Sequence, residues 1–327
     1  MSRILITGGA GFIGAHLSKK LQKNNKVMIV DKLEKKGGLL YIDKNNYFIK
    51  GDITNPKIIK KIKNWKPEII FHLAAQSGGE GAYDNPKNDF VSNGYGTYLI
   101  AKLAKELNCK YFIYSSSVAV YGSNMKKRIS EKMKLNPDSI YGISKYSGEM
   151  FIKQILKNTN TKVRIFRIFN TYGPGENLNN LKKGIVGIYC YYVWKKKPII
   201  VKGSLNRFRN IVYIADCVNI LEKSIYNKLL KKFEVINLTT GKKIYVKDII
   251  KTILKVNKIK KYKIQVRKKT PGDSMGFDSS NKYLLKKFKK YKFTTLENGL
   301  KKYFNWISLI KSKNLNKSHP YLIDKNF

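Results

Sequence analysis

Three side chains have the types and the spacing that proton and hydride transfer require. Ser117 ends a segment that predicts a strand, and Tyr141 and Lys145 lie four residues apart in a segment that predicts a helix. That spacing puts the phenol and the ammonium on one helix face, where the positive charge lowers the pKa of the phenol. The phenolate takes a hydroxyl proton while carbon gives up hydride, and the serine orients the oxygen. The set predicts a hydride-transfer site.

The spacing of a tyrosine four residues before a lysine proves little by itself, because lysine is abundant in this chain. The pattern occurs seven times, at Tyr83, Tyr98, Tyr141, Tyr191, Tyr192, Tyr283 and Tyr321. Only Tyr141 lies 24 residues after Ser117, whose strand ends at the carboxyl edge of the predicted sheet. Ligands of open α/β sheets bind at this edge. Position therefore selects Tyr141 and Lys145.

A glycine-rich turn near the start of the chain predicts a phosphate site. It follows a predicted strand at residues 4–6 and has the pattern Gly9-x-Gly11-x-x-Gly14 before a predicted helix. Gly9 and Gly11 let the backbone approach a pyrophosphate, and Gly14 lets the helix pack closely on the strand. The helix N-terminus adds free N–H groups and a positive dipole end. The turn predicts a dinucleotide site with contacts at Gly8, Gly11, Phe12 and Ile13.

An acid at the end of the second predicted strand indicates which dinucleotide binds. Asp31 lies 20 residues after Gly11, where a carboxylate accepts both ribose hydroxyls of adenosine and repels a 2′-phosphate. We therefore expect NAD and not NADP, although Lys32 places a basic group directly after Asp31. A helix N-cap or an ordinary loop acid is the alternative role of Asp31.

Three further segments are expected to line the cofactor site. Asp52, with Ile53 beside it, ends the third strand and can reach the adenine amino group; a helix N-cap at Asp52 or Thr54 is the alternative. The fourth strand, predicted at residues 69–75, leaves room for ribose and nicotinamide where it ends, at Leu73, Ala74, Ala75 and Gln76. Asn93, in a helix predicted over about 88–107, can hydrogen-bond backbone near the cofactor. His72 is expected to be a satisfied core residue.

Strand and helix signals alternate through the first half of the chain, which predicts an α/β fold with a Rossmann doubly wound parallel sheet. A seventh strand at 234–238 returns to the sheet after an excursion. We therefore expect an NAD-binding domain over residues 1–175 together with 213–240. Residues 176–212 and 241–310 are expected to form a smaller α/β substrate-binding domain, followed by a loosely docked tail at 311–327.

Composition excludes several classes of protein. The chain has 327 residues and a formal net charge of +45, but only seven of its basic residues are arginine, and the lysines are spread along the whole length. Abundant lysine together with asparagine, isoleucine and tyrosine is typical of A/T-rich coding, so we expect no nucleic-acid partner. No apolar run approaches the roughly 20 residues of a membrane span. The scattered Cys109, Cys190 and Cys217 indicate a reducing compartment, and we expect a cytoplasmic protein without metal.

Six ordered motifs resemble one family. They are TGGAGFIG (7–14), DI (52–53), HLAAQ (72–76), SSSVAVYG (115–122), YGISK (141–145) and RIFNTYGPG (167–175). The chain resembles the extended short-chain dehydrogenase/reductases, in particular the NAD-dependent nucleotide-sugar epimerases and dehydratases. The resemblance implies bound NAD, a catalytic set at Ser117, Tyr141 and Lys145, and a nucleoside-diphosphate sugar as substrate, with a UDP-hexose favoured. It also implies a homodimer formed through helices at about 88–107 and 139–157.

The resemblance also implies contacts to the sugar nucleotide. Besides Ser117 and Tyr141, the implied residues are Asn170, Asn180, Leu181, Val201, Arg209 and Asp273. Arg209 would grip the diphosphate with its planar fork. The family's usual arginine before the Pro-Gly-Asp motif is Thr270 here, so Lys268 or Lys269 would supply that phosphate contact.

Val118 and Ala119 indicate which reaction to expect. Dehydratases of this family carry an acid in this loop, and 3,5-epimerising relatives carry a cysteine, but this chain has neither. Without an acid, elimination lacks its proton carrier, which favours a UDP-glucose 4-epimerase-like activity. An NDP-sugar 4-dehydrogenase or a 4,6-dehydratase is the alternative. A non-catalytic NAD-binding or nucleic-acid-binding protein is a more distant one.

Overall fold

The computed structural model describes residues 1–33, 47–123, 127–181, 184–228, 231–268, 275–289 and 291–312. Its strands are β1 (Arg3–Thr7), β2 (Lys26–Asp31), β3 (Tyr47–Lys50), β4 (Ile69–His72), β5 (Tyr111–Ser117), β6 (Lys162–Ile168), β7 (Asn170–Tyr172), β8 (Ile199–Lys202), β9 (Phe208–Arg209), β10 (Ile211–Tyr213), β11 (Phe233–Leu238), β12 (Ile244–Tyr245) and β13 (Ile264–Arg267). Its α-helices are α1 (Phe12–Leu21), α2 (Pro56–Trp65), α3 (Gly79–Asp84), α4 (Pro86–Asp89), α5 (Gly96–Glu106), α6 (Ile140–Leu156), α7 (Ile185–Trp194), α8 (Ile214–Lys223), α9 (Val246–Val256), α10 (Lys282–Lys287) and α11 (Leu296–Ser312).

The central sheet is parallel and has the order β3-β2-β1-β4-β5-β6-β11. The predicted Rossmann fold is confirmed, including the return of the chain to the sheet at β11. The strand order reverses between β1 and β4, which are hydrogen-bonded neighbours. A crevice forms at such a switch point beyond the carboxyl ends of the strands. The glycine turn, Asp31 and Ser117 all follow or end strands at that edge.

Both faces of the sheet are covered, as the apolar strands require. Successive residues of β1 point to opposite faces, so Ile4 and Ile6 pack in one core and Leu5 packs in the other. The Ile4 core is continuous with α9 and α11, where it includes Trp306 and Ile307. The Leu5 core includes apolar residues of α5 and α6. The last helices of the described chain thus share a core with the first strand.

The segments of the chain that leave the central sheet form short two-stranded sheets and helices, among them α7, α9 and α11. Strand β8 pairs with β13 in parallel, β9 pairs with β12 in antiparallel, and β7 pairs with β10 in parallel. Strands β8, β9, β12 and β13 lie within residues 176–212 and 241–310, whereas β7 precedes that range and β10 crosses its boundary. The first two residues of the predicted tail belong to α11, which ends at Ser312, and residues 313–327 lie outside the described ranges.

Two predicted elements have different bounds in the structure. The fourth strand ends at His72 and not at residue 75, because its pairing with β1 stops at Thr7 and the Ala74 N–H donates to the Thr7 hydroxyl (3.3 Å). The helix predicted over 88–107 begins at α4 and passes through a π-helical turn at Phe90–Tyr95 before α5. Both departures lie beside the crevice.

The three cysteines and His72 lie in the interior of the structure. Cys109, Cys190 and Cys217 are buried and unpaired, and no cluster of three His, Cys, Asp or Glu side chains suited to a metal occurs in the described part of the chain. Every helix within the described ranges is too short or too polar to span a lipid bilayer. His72 is fully buried, with ring nitrogens 2.7 Å from the Thr7 hydroxyl and 2.9 Å from the Thr97 hydroxyl.

Candidate active site

A cavity of about 450 Å³ opens at the carboxyl edge of the sheet, where the sequence predicts the site. Its walls come from the loops after strands β1 to β7, from α6 and from the start of α7. It brings together these predicted residues: Gly8, Gly11, Phe12, Ile13, Asp31, Ile53, Leu73, Ala74, Ala75, Gln76, Ser117, Tyr141, Lys145, Asn170 and Asn180. The residues predicted to bind the cofactor and those predicted to be catalytic therefore line the same cavity.

The glycine turn is shaped by close backbone contacts. Gly8 has a φ of +68°, and a Cβ at this position would lie 2.6 Å from the backbone nitrogen of Ala74. A Cβ on Gly14 would overlap the carbonyl oxygen of Gly8, so only glycine lets α1 start against the turn. Gly11 is the N-cap of α1, and its position carries no side-chain cap hydrogen bond. The turn and the helix N-terminus fit a pyrophosphate.

Asp31 is fixed at the end of β2 by two backbone donors. Its Oδ2 accepts from the Ala10 N–H (3.0 Å), and its Oδ1 accepts from the Leu33 N–H (2.9 Å). The carboxylate lines the cavity, where it opposes a 2′-phosphate by charge. These contacts agree with NAD binding.

Lys32, the basic residue after Asp31, is directed toward other partners. Its Nζ lies 3.0 Å from Asp52 Oδ2 and 3.3 Å from the Ser92 hydroxyl. Burial acts to raise the pKa of Asp52, but hydrogen bonds from Thr54 and the contact with Lys32 hold it below its usual range. The N-cap of α2 is Asn55, so the alternative N-cap role of Asp52 or Thr54 is wrong. Asp52 forms instead a turn that holds Lys32.

Asn93 connects three segments around the site. Its Nδ2 lies 3.1 Å from the Gln76 carbonyl oxygen, 2.9 Å from the Ser144 hydroxyl and 3.1 Å from Asp89 Oδ1. The residue belongs to the π-helical turn, and such turns are frequent at functional sites. Its amide is thus bound to the backbone of the loop after β4, in agreement with the expected contact near the cofactor.

Ser117 and Tyr141 meet because two local structures pack against each other. The Ser117 hydroxyl is hydrogen-bonded to the Tyr141 phenol and also accepts from the Ala119 N–H (3.2 Å). Helix α6 begins after Ser139, whose hydroxyl accepts from the Gly142 N–H (3.1 Å). A Cβ on Gly142 would lie 2.6 Å from the Ala119 carbonyl oxygen. Glycine therefore lets the first turn of α6 approach the end of β5.

Lys145 lies one turn after Tyr141 and is only 2% exposed. Its Nζ is 4.3 Å from the centroid of the Tyr114 ring, a distance typical of a cation–π contact. Burial lowers the pKa of Lys145 to about 7, against the opposing effect of the Glu149 and Asp89 carboxylates. The ammonium is therefore held in place and gives up its proton near neutral pH.

The pKa of Tyr141 is raised in this structure, contrary to the lowering expected from Lys145. Burial of the phenol raises the pKa, the hydrogen bond with Ser117 opposes it, and the charge of Asp89 adds to it. In this structure burial therefore outweighs the lowering of the Tyr141 pKa that the spacing to Lys145 predicts.

Asp89 is a buried carboxylate that the motifs do not reveal. It is fully buried, and its Oδ1 accepts from the Ser144 hydroxyl (3.2 Å) and from Asn93. Burial raises the pKa of Asp89, against the hydrogen bond from Ser144 and the charge of Lys145. Asp89 lies four residues before Asn93. This spacing points to a shared contact with α6 only when the packing of the two helical segments is known.

Glu149 of helix α6 and Arg167 form a buried charge pair. Arg167 donates through Nε (3.0 Å) and Nη2 (2.7 Å) to the two oxygens of Glu149, and it donates to the Tyr121 phenol (2.8 Å). The Ser116 hydroxyl also donates to Glu149 (2.5 Å). The pair connects α6 to β5 and β6. The sequence gives one indication of this pair, because Glu149 lies one helical turn after Lys145.

The predicted substrate residues are only partly brought together. Asn170 and Asn180 line the cavity, whereas Leu181 is partly exposed and Val201 is fully buried in β8, paired with β13 and outside the lining. Arg209 also lies outside the lining, with Nη1 donating to the Phe208 carbonyl (2.8 Å). Asp273 lies outside the described residues.

The chain is similar to known proteins both in sequence and in fold. The pattern of the NAD dependent epimerase/dehydratase family matches residues 4–239. A putative UDP-glucose 4-epimerase of Methanocaldococcus jannaschii is 32% identical over 252 residues, which are 76% of this chain and 81% of that protein.

Two solved structures superpose on nearly the whole chain. UDP-glucose 4-epimerase of Thermotoga maritima, determined with UDP-glucose, is 27% identical with a TM-score of 0.86 and covers 96% of this chain and 100% of its own. UDP-glucuronic acid 4-epimerase of Bacillus cereus, determined with UDP-glucuronic acid and NAD, is 25% identical with a TM-score of 0.83 and covers 94% and 99%.

Proposed function

The chain belongs to the NAD-dependent epimerase/dehydratase family and is an NAD-dependent enzyme, and from this we propose that it is a nucleotide-sugar 4-epimerase. The proposed reaction oxidises C4 of a nucleoside-diphosphate hexose, lets the 4-keto sugar turn, and restores hydrogen at C4 from the other face. A UDP-hexose is the favoured substrate, because the similar epimerases named above act on UDP-sugars.

The residues that line the cavity fit NAD. Other steps, which are proton transfer and orientation of the sugar hydroxyl, would be carried out by side chains of this chain. When bound, NAD supplies the hydride acceptor and a positively charged ring. The glycine turn and Asp31 would hold the cofactor, with the Leu73 to Gln76 loop facing it. Tyr141 would take the proton of the sugar hydroxyl and return it, while Ser117 holds the phenol and orients the hydroxyl. Lys145, buried beside them, would bind ribose hydroxyls.

The observation that carries the choice of epimerisation is the apolar turn after Ser117. Val118 lines the cavity at this turn, and Ala119 follows it, so no side chain there can carry a proton to or from C5 and C6. Among the described lining residues, Glu176 is the acid outside the adenosine end. It lies against the start of α7, and one carboxylate does not provide both the acid and the base that elimination requires.

The experiment that tests this proposal is incubation with UDP-glucose, UDP-galactose and their N-acetyl forms in turn. We expect an equal-mass C4 epimer from at least one of them, identified by NMR after separation of the products. A product lighter by one water would show a dehydratase. A stable 4-keto product of unchanged carbon skeleton that accumulates with NADH would show a 4-dehydrogenase.

We further propose that residues 176–212 and 241–310 close over the sugar nucleotide, with Asn170 and Asn180 as direct contacts. Leu181 and Arg209 are proposed to reach the nucleotide when it binds, and Asp273 to hold its ribose. Val201 would act through the packing of β8, because its side chain is fully buried. These contacts agree with the cavity, which continues from Tyr141 to the start of α7.

We propose that the protein forms a homodimer through an apolar helix patch. The patch consists of exposed large apolar side chains on the π-helical turn and on α6: Phe90, Tyr95, Ile143, Met150 and Phe151. Phe90 is 72% exposed. Contiguous exposed apolar side chains mark interaction sites, and a two-fold axis would let the same patch cover itself.

A further inference from the structure

Lys145 carries its ammonium in a part of α6 that is shielded from water. The residue is 2% exposed, and burial lowers its pKa to about 7. The two carboxylates whose charges act on it are bound to other groups. Glu149 is paired with Arg167 (2.7 Å), and Asp89 accepts from the Ser144 hydroxyl (3.2 Å). A buried ammonium needs a contact that replaces water, and here that contact comes from another side chain.

The ring of Tyr114 in β5 supplies this contact. Lys145 Nζ lies 4.3 Å from the centroid of the ring, within the range of a cation–π contact. The negative face of the ring attracts the cation, and the attraction is stronger in a desolvated site than at the surface. Burial raises the pKa of Tyr114 above its usual range, so its phenol stays neutral at physiological pH. The ring thus replaces part of the hydration that the ammonium loses.

Helix α6 is shaped to receive the same ring. The Tyr114 phenol donates to the Lys145 carbonyl oxygen (3.4 Å), and a Cβ on Gly148 would lie 2.9 Å from Tyr114 Cζ. Gly148 lies three residues after Lys145, and residues with this spacing share one helix face. The glycine therefore leaves room for the hydroxyl end of the ring, while the lysine covers the face of the ring.

His72 packs against the same ring without adding a charge. The imidazole and the Tyr114 ring are stacked, with centroids 5.6 Å apart and planes inclined by 20°. The imidazole is itself fixed by the hydroxyls of Thr7 and Thr97. Burial, and after it the charge of Lys145, lowers the pKa of His72 to about 3. His72 is therefore neutral at physiological pH and does not compete with the lysine as a second cation.

We propose that Tyr114 is a positioning residue whose ring holds the Lys145 ammonium in place for the bound cofactor. The inference rests on the proposed 4-epimerase function, in which Lys145 binds ribose hydroxyls of NAD. Tyr114 is not among the described residues that line the cavity, so it acts through the lysine. Because Tyr114 lies in β5, three residues before Ser117, it also fixes the lysine relative to the strand that carries the serine.

A series of fluorinated phenylalanines at position 114 tests this proposal. Tyr114→Phe keeps the ring and loses only the hydroxyl, so NAD should bind within about threefold of wild type. One, two and three fluorine atoms on that ring weaken its negative face step by step and change its shape little. We expect the affinity for NAD to fall with each fluorine, by about fivefold or more over the series. Calorimetry on protein stripped of bound nucleotide measures these affinities.

The matched control is the same fluorinated series at Phe112. This residue is fully buried, lies two positions earlier in β5 in the same core, and has its ring 6.1 Å from that of His72. The series at Phe112 should leave the affinity for NAD unchanged. Constant affinity across the series at position 114 would overturn the proposal. An equal fall at both positions would also overturn it, because fluorine would then act on the core in general.

Removal of the ring gives a second test. We expect Tyr114→Leu to weaken NAD binding by about tenfold or more, whereas Phe112→Leu, with a similar loss of volume, should keep it within about threefold of wild type. Equal effects of the two substitutions would contradict a role for the ring in holding Lys145. NAD is titrated without a sugar nucleotide, so absence of turnover would contradict the 4-epimerase proposal alone.

Discussion

Burial affects the pKa values of Tyr141 and Lys145 more strongly than their mutual spacing does. The four-residue spacing of Tyr141 and Lys145 predicts a lowered phenol pKa, but the pKa of Lys145 falls to about 7 and that of Tyr141 rises. Desolvation disfavours the charged form of each group. Burial therefore acts on the two groups in opposite directions, raising the pKa of Tyr141 and lowering that of Lys145.

Tyr141→Phe tests the base directly. The change removes the proton-carrying oxygen and the hydrogen bond to Ser117, so we expect turnover to fall by about a thousandfold. Affinity for NAD and for the sugar nucleotide should stay within a few-fold of wild type, because the ring is kept. The measurements are kcat on the best substrate and calorimetric affinity.

The control for this prediction is Tyr191→Phe, a tyrosine with the same spacing to a lysine but outside the cavity lining. It should retain wild-type turnover. A Tyr141→Phe enzyme with more than a tenth of the wild-type rate would place the base on another residue.

The residues that the sequence predicts best are those with local signals. The glycine turn, Asp31 and Ser117 sit at strand ends, so alternation of strands and helices is enough to bring them to one edge. Asp89 is different, because its hydrogen bonds depend on residues far away in sequence, such as Ser144. No local pattern encodes those contacts.

At the scale of elements, His72 connects two strands and one helix. It lies in β4, and its ring nitrogens reach Thr7 of β1 and Thr97 of α5. Burial, and after it the charge of Lys145, lowers the pKa of His72 to about 3, and burial likewise lowers the pKa of His16 to about 4. In the unfolded chain both imidazoles titrate near their ordinary value of about 6.5.

These values predict a loss of stability in mild acid. Between pH 6.5 and the lowered folded-state pKa values, the unfolded chain binds more protons, so the free energy of unfolding falls as pH falls. Each histidine contributes about 1.4 kcal/mol per pH unit in that window. Urea unfolding from about pH 7 to about pH 5 measures the slope.

The comparison variant is His72→Asn, which keeps a polar side chain between the two threonines but does not titrate. Its stability near neutral pH should be lower, and its dependence on pH should be weaker by about one proton. An unchanged slope would mean that His72 is not the titrating group.

Gly148 sets the approach of α6 to the sheet. A Cβ at Gly148 would lie 2.9 Å from Tyr114 Cζ and closer still to the phenol oxygen, whereas a Cβ at Gly94 would meet the Ser147 hydroxyl oxygen at 3.3 Å. We expect Gly148→Ala to lower the free energy of unfolding by about 1 to 3 kcal/mol.

The matched variant Gly94→Ala should be close to neutral, because the gain in helix propensity, about 1 kcal/mol, offsets the small displacement of Ser147. Chemical denaturation of both variants measures the difference. Equal stabilities would contradict a tight contact between Gly148 and Tyr114.

The sequence predicts the seven strands of the sheet but not the π-helical turn. Strand positions follow from apolar runs and turn residues, which are properties of a few neighbouring residues. The turn at Phe90–Tyr95 depends on where the Asn93 amide finds acceptors, and these lie in the loop after β4 and in α6. Periodicity over 88–107 therefore predicts a continuous helix and misses the irregular turn.

At the scale of the whole molecule, the apolar helix patch predicts the oligomeric state. Phe90→Lys places two like charges near the proposed two-fold axis, so we expect the dimer to dissociate about tenfold or more readily. Sedimentation velocity over a range of concentrations measures this. Tyr226→Lys, at another exposed aromatic residue, should leave the dimer intact, and a wild-type monomer at every concentration would contradict the proposal.

The core that runs from β1 to α11 has a consequence for how this protein can be divided. Because Ile4 and Trp306 belong to one packed cluster, cutting the chain between the cofactor half and the substrate half would open apolar surface on both pieces. We expect a single cooperative melting transition, and halves exchanged with a homologue would fit only if the facing core residues were exchanged with them. We therefore expect substrate range in this enzyme to change more readily through single residues of the cavity wall than through exchange of whole lobes.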